Sequence, residues 1–163
     1  RVVVDVGRET ETLFHRIVMV AEHVINLPHF DIVDLRGIED LTRSLRAGGT
    51  LLIGEPFWRQ LPPSDAVAQG CLAHAVSDFL TLPQLLASFA ELGHDVVEMV
   101  LADPDGWDRY EAAKWLTMRR WLEANSSDDM AAEVQAQLRS EPVRYATYTR
   151  EYLGWGVFAL MAR

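Results

Sequence analysis

Ala47-Gly48-Gly49-Thr50-Leu51-Leu52-Ile53-Gly54-Glu55-Pro56-Phe57-Trp58 is the stretch on which the fold turns. Its first two glycines stop the helical run Ile38 to Leu45. The chain then passes at once into Thr50–Gly54, a short apolar run that reads as a buried strand. Upstream, Phe30-Asp31-Ile32-Val33-Asp34-Leu35, Ile17–Ala21 and Val2-Val3-Val4-Asp5-Val6-Gly7 read as three earlier strands. Downstream, Pro56, Pro62 and Pro63 mark an irregular segment from Glu55 to about Gln69, because proline neither donates to a ladder nor continues a helix.

Leu82, Leu85, Leu86 and Phe89 recur at i, i+3, i+4 and i+7, predicting an amphipathic helix over Leu82–Leu92 that Gly93 ends. Val96–Leu101 follows as a strand. Asp103-Pro104-Asp105-Gly106 opens a helix from Trp107 to about Ala124, its acidic first turn suiting the positive end of the helix dipole. Further helices are predicted over Asp128–Ser140 and Val143–Leu153, and Trp155–Met161 closes the chain as an edge or inner strand. Strands alternating with helices that exit on glycine predict an α/β fold, a mostly parallel sheet flanked by helices, with a helical insertion before the last strand. The whole chain, 1–163, reads as one domain with a helical insertion over 103–153.

In such sheets ligands sit outside the carboxyl ends of the strands. That rule selects Asp5, Gly7, Glu22, Asp34 and Glu55-Pro56-Phe57-Trp58 as the ligand-facing residues.

The 163 residues carry 15 basic and 24 acidic side chains, a formal charge of −9. That balance, with a sequence pI near 4.9 and no basic run, opposes a nucleic-acid surface. A single cysteine forms no intramolecular disulfide and no stretch reads as a secretory leader, so the cytoplasm is the expected address. The longest apolar stretch, Gly154 to Ala162, is nine residues, short of the ~18–20 that span a bilayer.

Taken together, these segments resemble the class I S-adenosylmethionine-dependent methyltransferases. Val2-Val3-Val4-Asp5-Val6-Gly7 is similar to the family's first strand and glycine motif. Ala21–Pro28 resembles the acidic segment that meets the adenine, and Phe30–Val33 the fourth strand. Leu45–Trp58 resembles the following helix exit and fifth strand, the most specific of the matches. The C-terminal half resembles a bacterial branch of small-molecule methyltransferases through Trp107-Asp108-Arg109-Tyr110-Glu111 and Tyr152-Leu153-Gly154-Trp155. One departure is plain: only residues 8–14 separate Gly7 from His15. Seven residues are too few for the family's glycine loop, helix and ribose-binding second strand, since one crossover needs at least ~10–12. A hairpin of the first two strands is the other reading of that segment.

The resemblance implies S-adenosylmethionine as cofactor, with Asp5, Gly7, Glu22 and Asp34 on its side of the cleft, and a small-molecule acceptor. It leaves room for a homodimer. Methyl transfer from a sulfonium is an in-line displacement whose donor is already activated, so the protein mainly positions the partners and can add a base. Glu55 is the candidate for that role; Phe57, Trp58, Trp107 and Tyr110 are candidate substrate contacts, since aromatic faces wall pockets and attract cations. The competing class is a non-catalytic module that keeps the sheet and the aromatic helices for binding or dimerising but has lost the cofactor loop.

Other patterns have plainer explanations. Tyr145, Tyr148 and Tyr152 share one helix face and read as core or interface. Cys71 and His74 lack the partners a zinc site needs. Asp103 and Asp105 do not make a calcium loop, because Gly106 falls at the fourth position instead of the sixth, and a helix start accounts for them.

Overall fold

The computed structural model describes Ile38, Arg43 and residues 48–163. The strands expected over Val2–Gly7, Ile17–Ala21 and Phe30–Leu35 lie outside the described residues. Ile38 and Arg43 are both helical, inside the run expected over Ile38–Leu45. From there the elements are β1 (Thr50–Trp58), α1 (Asp65–Gly70), a 3₁₀ turn (Val76–Asp78), α2 (Leu82–Glu91) and β2 (His94–Leu101). They continue as α3 (Pro104–Ala124), α4 (Ala131–Arg144), a π-helical turn (Tyr145–Thr149), α5 (Arg150–Tyr152) and β3 (Leu153–Ala162). Two compact units result: Arg1–Trp58, Ser77–Leu101 and Trp155–Arg163 form one, Arg59–Val76 and Ala102–Gly154 the other.

The first unit is the sheet unit. Its described strands lie in the order β1-β3-β2, so the last strand is an inner one. β3 runs antiparallel to β2, from His94 opposite Ala162 to Leu101 opposite Gly156, with a bulge between Val96 and Glu98. Leu51, Ile53 and Phe57 of β1, Leu85 and Phe89 of α2, and Phe158 and Leu160 of β3 form the core with Ile38. The Phe89 and Phe158 rings meet at 5.4 Å.

α2 begins where the sequence predicts. Thr81 and Gln84 form a capping box, the Thr81 amide donating to Gln84 Oε1 at 2.9 Å. Its exit turn needs Gly93, whose φ of +80° lies in the left-handed region.

β1 is longer than expected. The strand predicted to stop at Gly54 runs through Glu55 and Pro56 to Trp58. Pro56 forgoes one donor and no more. Burial holds the end in place: Phe57 is 4% and Trp58 1% exposed, and the Trp58 amide donates to Leu80 O at 2.8 Å. The irregular segment therefore starts at Arg59, and α1 interrupts it.

The second unit is helical. α1 is capped by Ser64 and ends in a Schellman pattern, Ala73 N to Ala68 O at 3.1 Å and Leu72 N to Gln69 O at 2.9 Å. α3 opens at Pro104 on an Asp103 cap whose Oδ1 accepts from Gly106 N at 2.7 Å. The helix break expected between Ser140 and Val143 is absent: α4 passes through Pro142 into the π turn and α5. No helix among the described residues is long and apolar enough to cross a membrane.

Candidate functional site

Glu55 is the sixth residue of β1 and 6% exposed. It lies within the strand rather than at its tip, because the strand continues for three more residues. On one side is Gly54, whose absent side chain is what lets Trp155 in: a Cβ there would lie 2.7 Å from the Trp155 ring. On the other side, Phe57 belongs to the apolar core and Trp58 packs edge-on to Phe79, ring centroids 5.1 Å apart. The sheet unit thus brings Glu55, Phe57 and Trp58 to one strand, with both aromatic side chains packed. Asp5, Gly7, Glu22 and Asp34 lie outside the described residues.

Trp107 and Tyr110 stand on the first two turns of α3, both partly buried. Around them is a polar arrangement that the sequence did not single out. Tyr145 Oη donates to Asp108 Oδ1 at 2.7 Å, and Arg150 Nε donates to both Asp108 oxygens at 3.0 and 3.2 Å. These bonds, the one from Arg150 foremost, hold the Asp108 carboxyl below its ordinary pKa. Burial, followed by the hydrogen bond to Asp108, holds the Tyr145 phenol well above its own.

The π turn makes this clasp. Tyr145 and Arg150 are five residues apart. At about 100° per residue an α-helix would set them roughly 140° apart on its surface. A π turn, with i to i+5 hydrogen bonds, returns position i+5 to nearly the same face. Arg150 N does donate to Tyr145 O, and both side chains reach one carboxylate. The pair Arg144 and Thr149 repeats the spacing: Arg144 Nη1 donates to Thr149 Oγ1 at 3.1 Å. The same guanidinium takes Glu141 in two bonds, 2.9 and 2.7 Å, and donates to Gly70 O at 2.8 Å, fastening the end of α1 to the helices.

Next to the clasp, Glu111 is 6% exposed and accepts from Lys114 Nζ at 2.7 Å. The same ammonium sits 4.4 Å from the Tyr110 ring centroid. Burial, with the Glu111 charge behind it, pushes the Tyr110 phenol up to about 12. Trp107 carries a buried indole Nε1 with no hydrogen-bond partner among the described residues, a donor left for an acceptor atom. The signal that could have found this face was its period. Trp107, Asp108, Glu111 and Trp115 fall at i, i+1, i+4 and i+8, so two carboxylates share the side that packs. A search by motif passes over it because no fixed motif has this form.

The tyrosine stripe packs, as expected of it. Tyr145 lies 5.9 Å from the Trp115 ring in an edge arrangement, and Tyr148 covers Gly70. Cys71 is buried, which pushes its thiol up to about 11 and away from the reactive thiolate. Among the described residues no three His, Cys, Asp or Glu side chains converge as a metal site.

No family model matches the chain. It is 66% identical over 125 residues to the uncharacterized protein YjhP of Escherichia coli K12, a stretch that makes up 77% of this chain and 50% of that protein. Among solved structures it is similar to a SAM-dependent methyltransferase of Geobacter sulfurreducens in complex with S-adenosyl-L-homocysteine. The identity is 76% and the TM-score 0.75, over 77% of this chain and 51% of that one. A SAM-dependent methyltransferase of Thiobacillus denitrificans in complex with the same compound is 70% identical at a TM-score of 0.75, over 78% and 51% of the two chains. The chain thus spans about half the length of the relatives it matches. The likeness gives the fold class, α/β and Rossmann-like.

Proposed function

We propose that this chain takes part in S-adenosylmethionine-dependent methyl transfer to a small molecule. The observation that carries the reading is the identity of 70–76%, over more than three quarters of the chain, to two methyltransferases solved with S-adenosyl-L-homocysteine, the demethylated product of that donor. On this reading Asp5, Gly7, Glu22 and Asp34 line the cofactor side, and the bacterial cytoplasm is the place of action. When bound, the cofactor would supply an electrophilic methyl group on a sulfonium.

The chain's own residues do the positioning. Glu55, buried on a strand next to the core residue Phe57 and the packed Trp58, is held rigidly enough to orient the acceptor and to receive the proton it loses. Phe57 and Trp58 back that carboxylate and wall the pocket. Taken by itself, the helical unit offers Trp107 and Tyr110 as candidate small-molecule contacts, the Trp107 indole N–H as a hydrogen-bond donor.

Calorimetric titration of the folded chain with S-adenosylmethionine and S-adenosyl-L-homocysteine tests the reading. Saturable binding of both is the expected outcome. An intact, folded chain that gives no heat with either overturns it, and a non-catalytic module takes its place.

A further inference from the structure

Among the described residues of the helical unit, Glu111 is the charged side chain that is buried, and the clasp does not account for it. Asp108 is taken up by Tyr145 and Arg150, and Glu141 by both arms of Arg144. Glu111 meets Lys114 alone, and the two differ sharply in exposure, 9% of the Glu111 side chain against 44% for Lys114. A local pair three residues apart on a helix contributes little, while drawing a carboxylate out of water costs several times as much. Structure alone gives poor reason to bury this group.

Lys114 shows what the position recognises. Its ammonium is 2.7 Å from Glu111 Oε1 and 4.4 Å from the Tyr110 ring centroid, so a carboxylate and an aromatic face meet on one cation. That combination suits an organic ammonium. The cation present hangs on a flexible four-carbon stem with nearly half its side chain in solvent, and it can swing into water without disturbing the helix.

We propose that Glu111 and Tyr110 form a binding site for a protonated amine, which Lys114 fills in the free protein and vacates when the ligand enters. Joined to the methyl-transfer reading, on which this extension rests, the site makes the acceptor an amine-bearing small molecule. Trp107, one helical turn before Glu111, offers its unpartnered N–H to a second polar group of the same ligand.

Titration of the whole chain with phenethylammonium chloride, against phenethyl alcohol as the neutral counterpart, tests this at constant ionic strength. The ammonium is expected to bind saturably and the alcohol not. Lys114→Met, which keeps the aliphatic stem and removes the competitor, is expected to tighten binding by roughly two- to fivefold. Glu111→Gln, isosteric and uncharged, is expected to weaken it by about tenfold or more. If Glu111→Gln fails to fold, Lys114→Met still decides, since nearly half of the Lys114 side chain is in solvent and methionine keeps its aliphatic stem. Equal binding of alcohol and ammonium, or a Lys114→Met protein that binds the ammonium no more tightly than the parent, overturns the proposal. S-adenosyl-L-homocysteine titrated into the same samples separates the two readings. Heat with it but none with the ammonium sinks the amine site alone, and the reverse result sinks methyl transfer while leaving the amine site standing.

Discussion

Gly70 has no room for a side chain. A Cβ there would lie 2.4 Å from Tyr148 Cγ, near the root of the ring, where the tyrosine cannot simply rotate away. Gly70→Ala is expected to cost about 1–3 kcal/mol through overpacking, read as a lower melting temperature. In a Tyr148→Ala background the same change is expected to cost almost nothing, which makes the contact, and not helix propensity, the cause. Two residues on, Leu72 presents the opposite case. It occupies the left-handed position of the Schellman turn at φ 68° with 70% of its surface exposed, where glycine is the usual choice. A bulky side chain is strained there and recovers little by packing. Leu72→Gly is expected to raise stability by about 1 kcal/mol, or roughly 2–4 °C in melting temperature. A drop instead would mean that Leu72 makes contacts its exposure does not suggest.

At the scale of elements, the π turn is a single extra residue absorbed inside a helix that is otherwise continuous from Ala131 to Tyr152. Removing the exposed Ala146 would turn it into ordinary α-helix. Tyr145 and the present Arg150 would then stand four apart, still on one face and still within reach of Asp108. Deletion of Ala146 is therefore expected to leave the fold intact and the melting temperature unchanged or higher. Deletion of Ala113, equally exposed but inside regular α3, turns everything beyond it by about 100° and is expected to unfold the helical unit. Circular dichroism melts of the two deletions decide it; equal damage from both would contradict the reading of the π turn. The same comparison shows what the amino-acid pattern discloses. α2, β2 and the last strand were legible because apolar period, glycine exits and caps agree there. Pro56 misled, since it costs the strand one donor and the burial of Phe57 and Trp58 outweighed that; nothing in the structure explains why the helix continues through Pro142. Glu55 was legible as a residue at the end of a strand next to aromatics, but not as one inside the strand. The Asp108 clasp was not legible, because its partners sit 37 and 42 residues away and are brought together by a turn type that no local signal announces; Glu111 was not, because its partner is local but its burial comes from packing.

For the molecule as a whole, the shifted groups define a window of stability against pH. Asp108 and Glu141 both have folded pKa values below the ordinary carboxylate value, held down first by hydrogen bonds from Arg150 and Arg144 respectively. The stability they contribute is full above the unfolded value near ~4 and is lost as pH falls through the lower folded values. At the alkaline end the order is reversed. Cys71, raised to about 11, and Tyr110, raised to about 12, keep their protons in the folded chain after the unfolded chain has lost them, and Tyr145 does so more strongly still. Each therefore favours unfolding once pH passes its unfolded value, ~8.5 for the thiol and ~10 for the phenols. The formal charge of −9 adds repulsion that grows in the same direction. Melting temperature is accordingly expected to be flat from about pH 5 to pH 8, to fall below ~4, and to fall in two stages above ~8.5 and ~10. Cys71→Ser is expected to remove the first alkaline stage and Tyr145→Phe to shrink the second, each compared with the parent relative to its own plateau. Alkaline limbs that superpose for the parent and Tyr145→Phe would show that the buried phenol is not the group resisting ionisation, and would take the Asp108 clasp out of the account of stability.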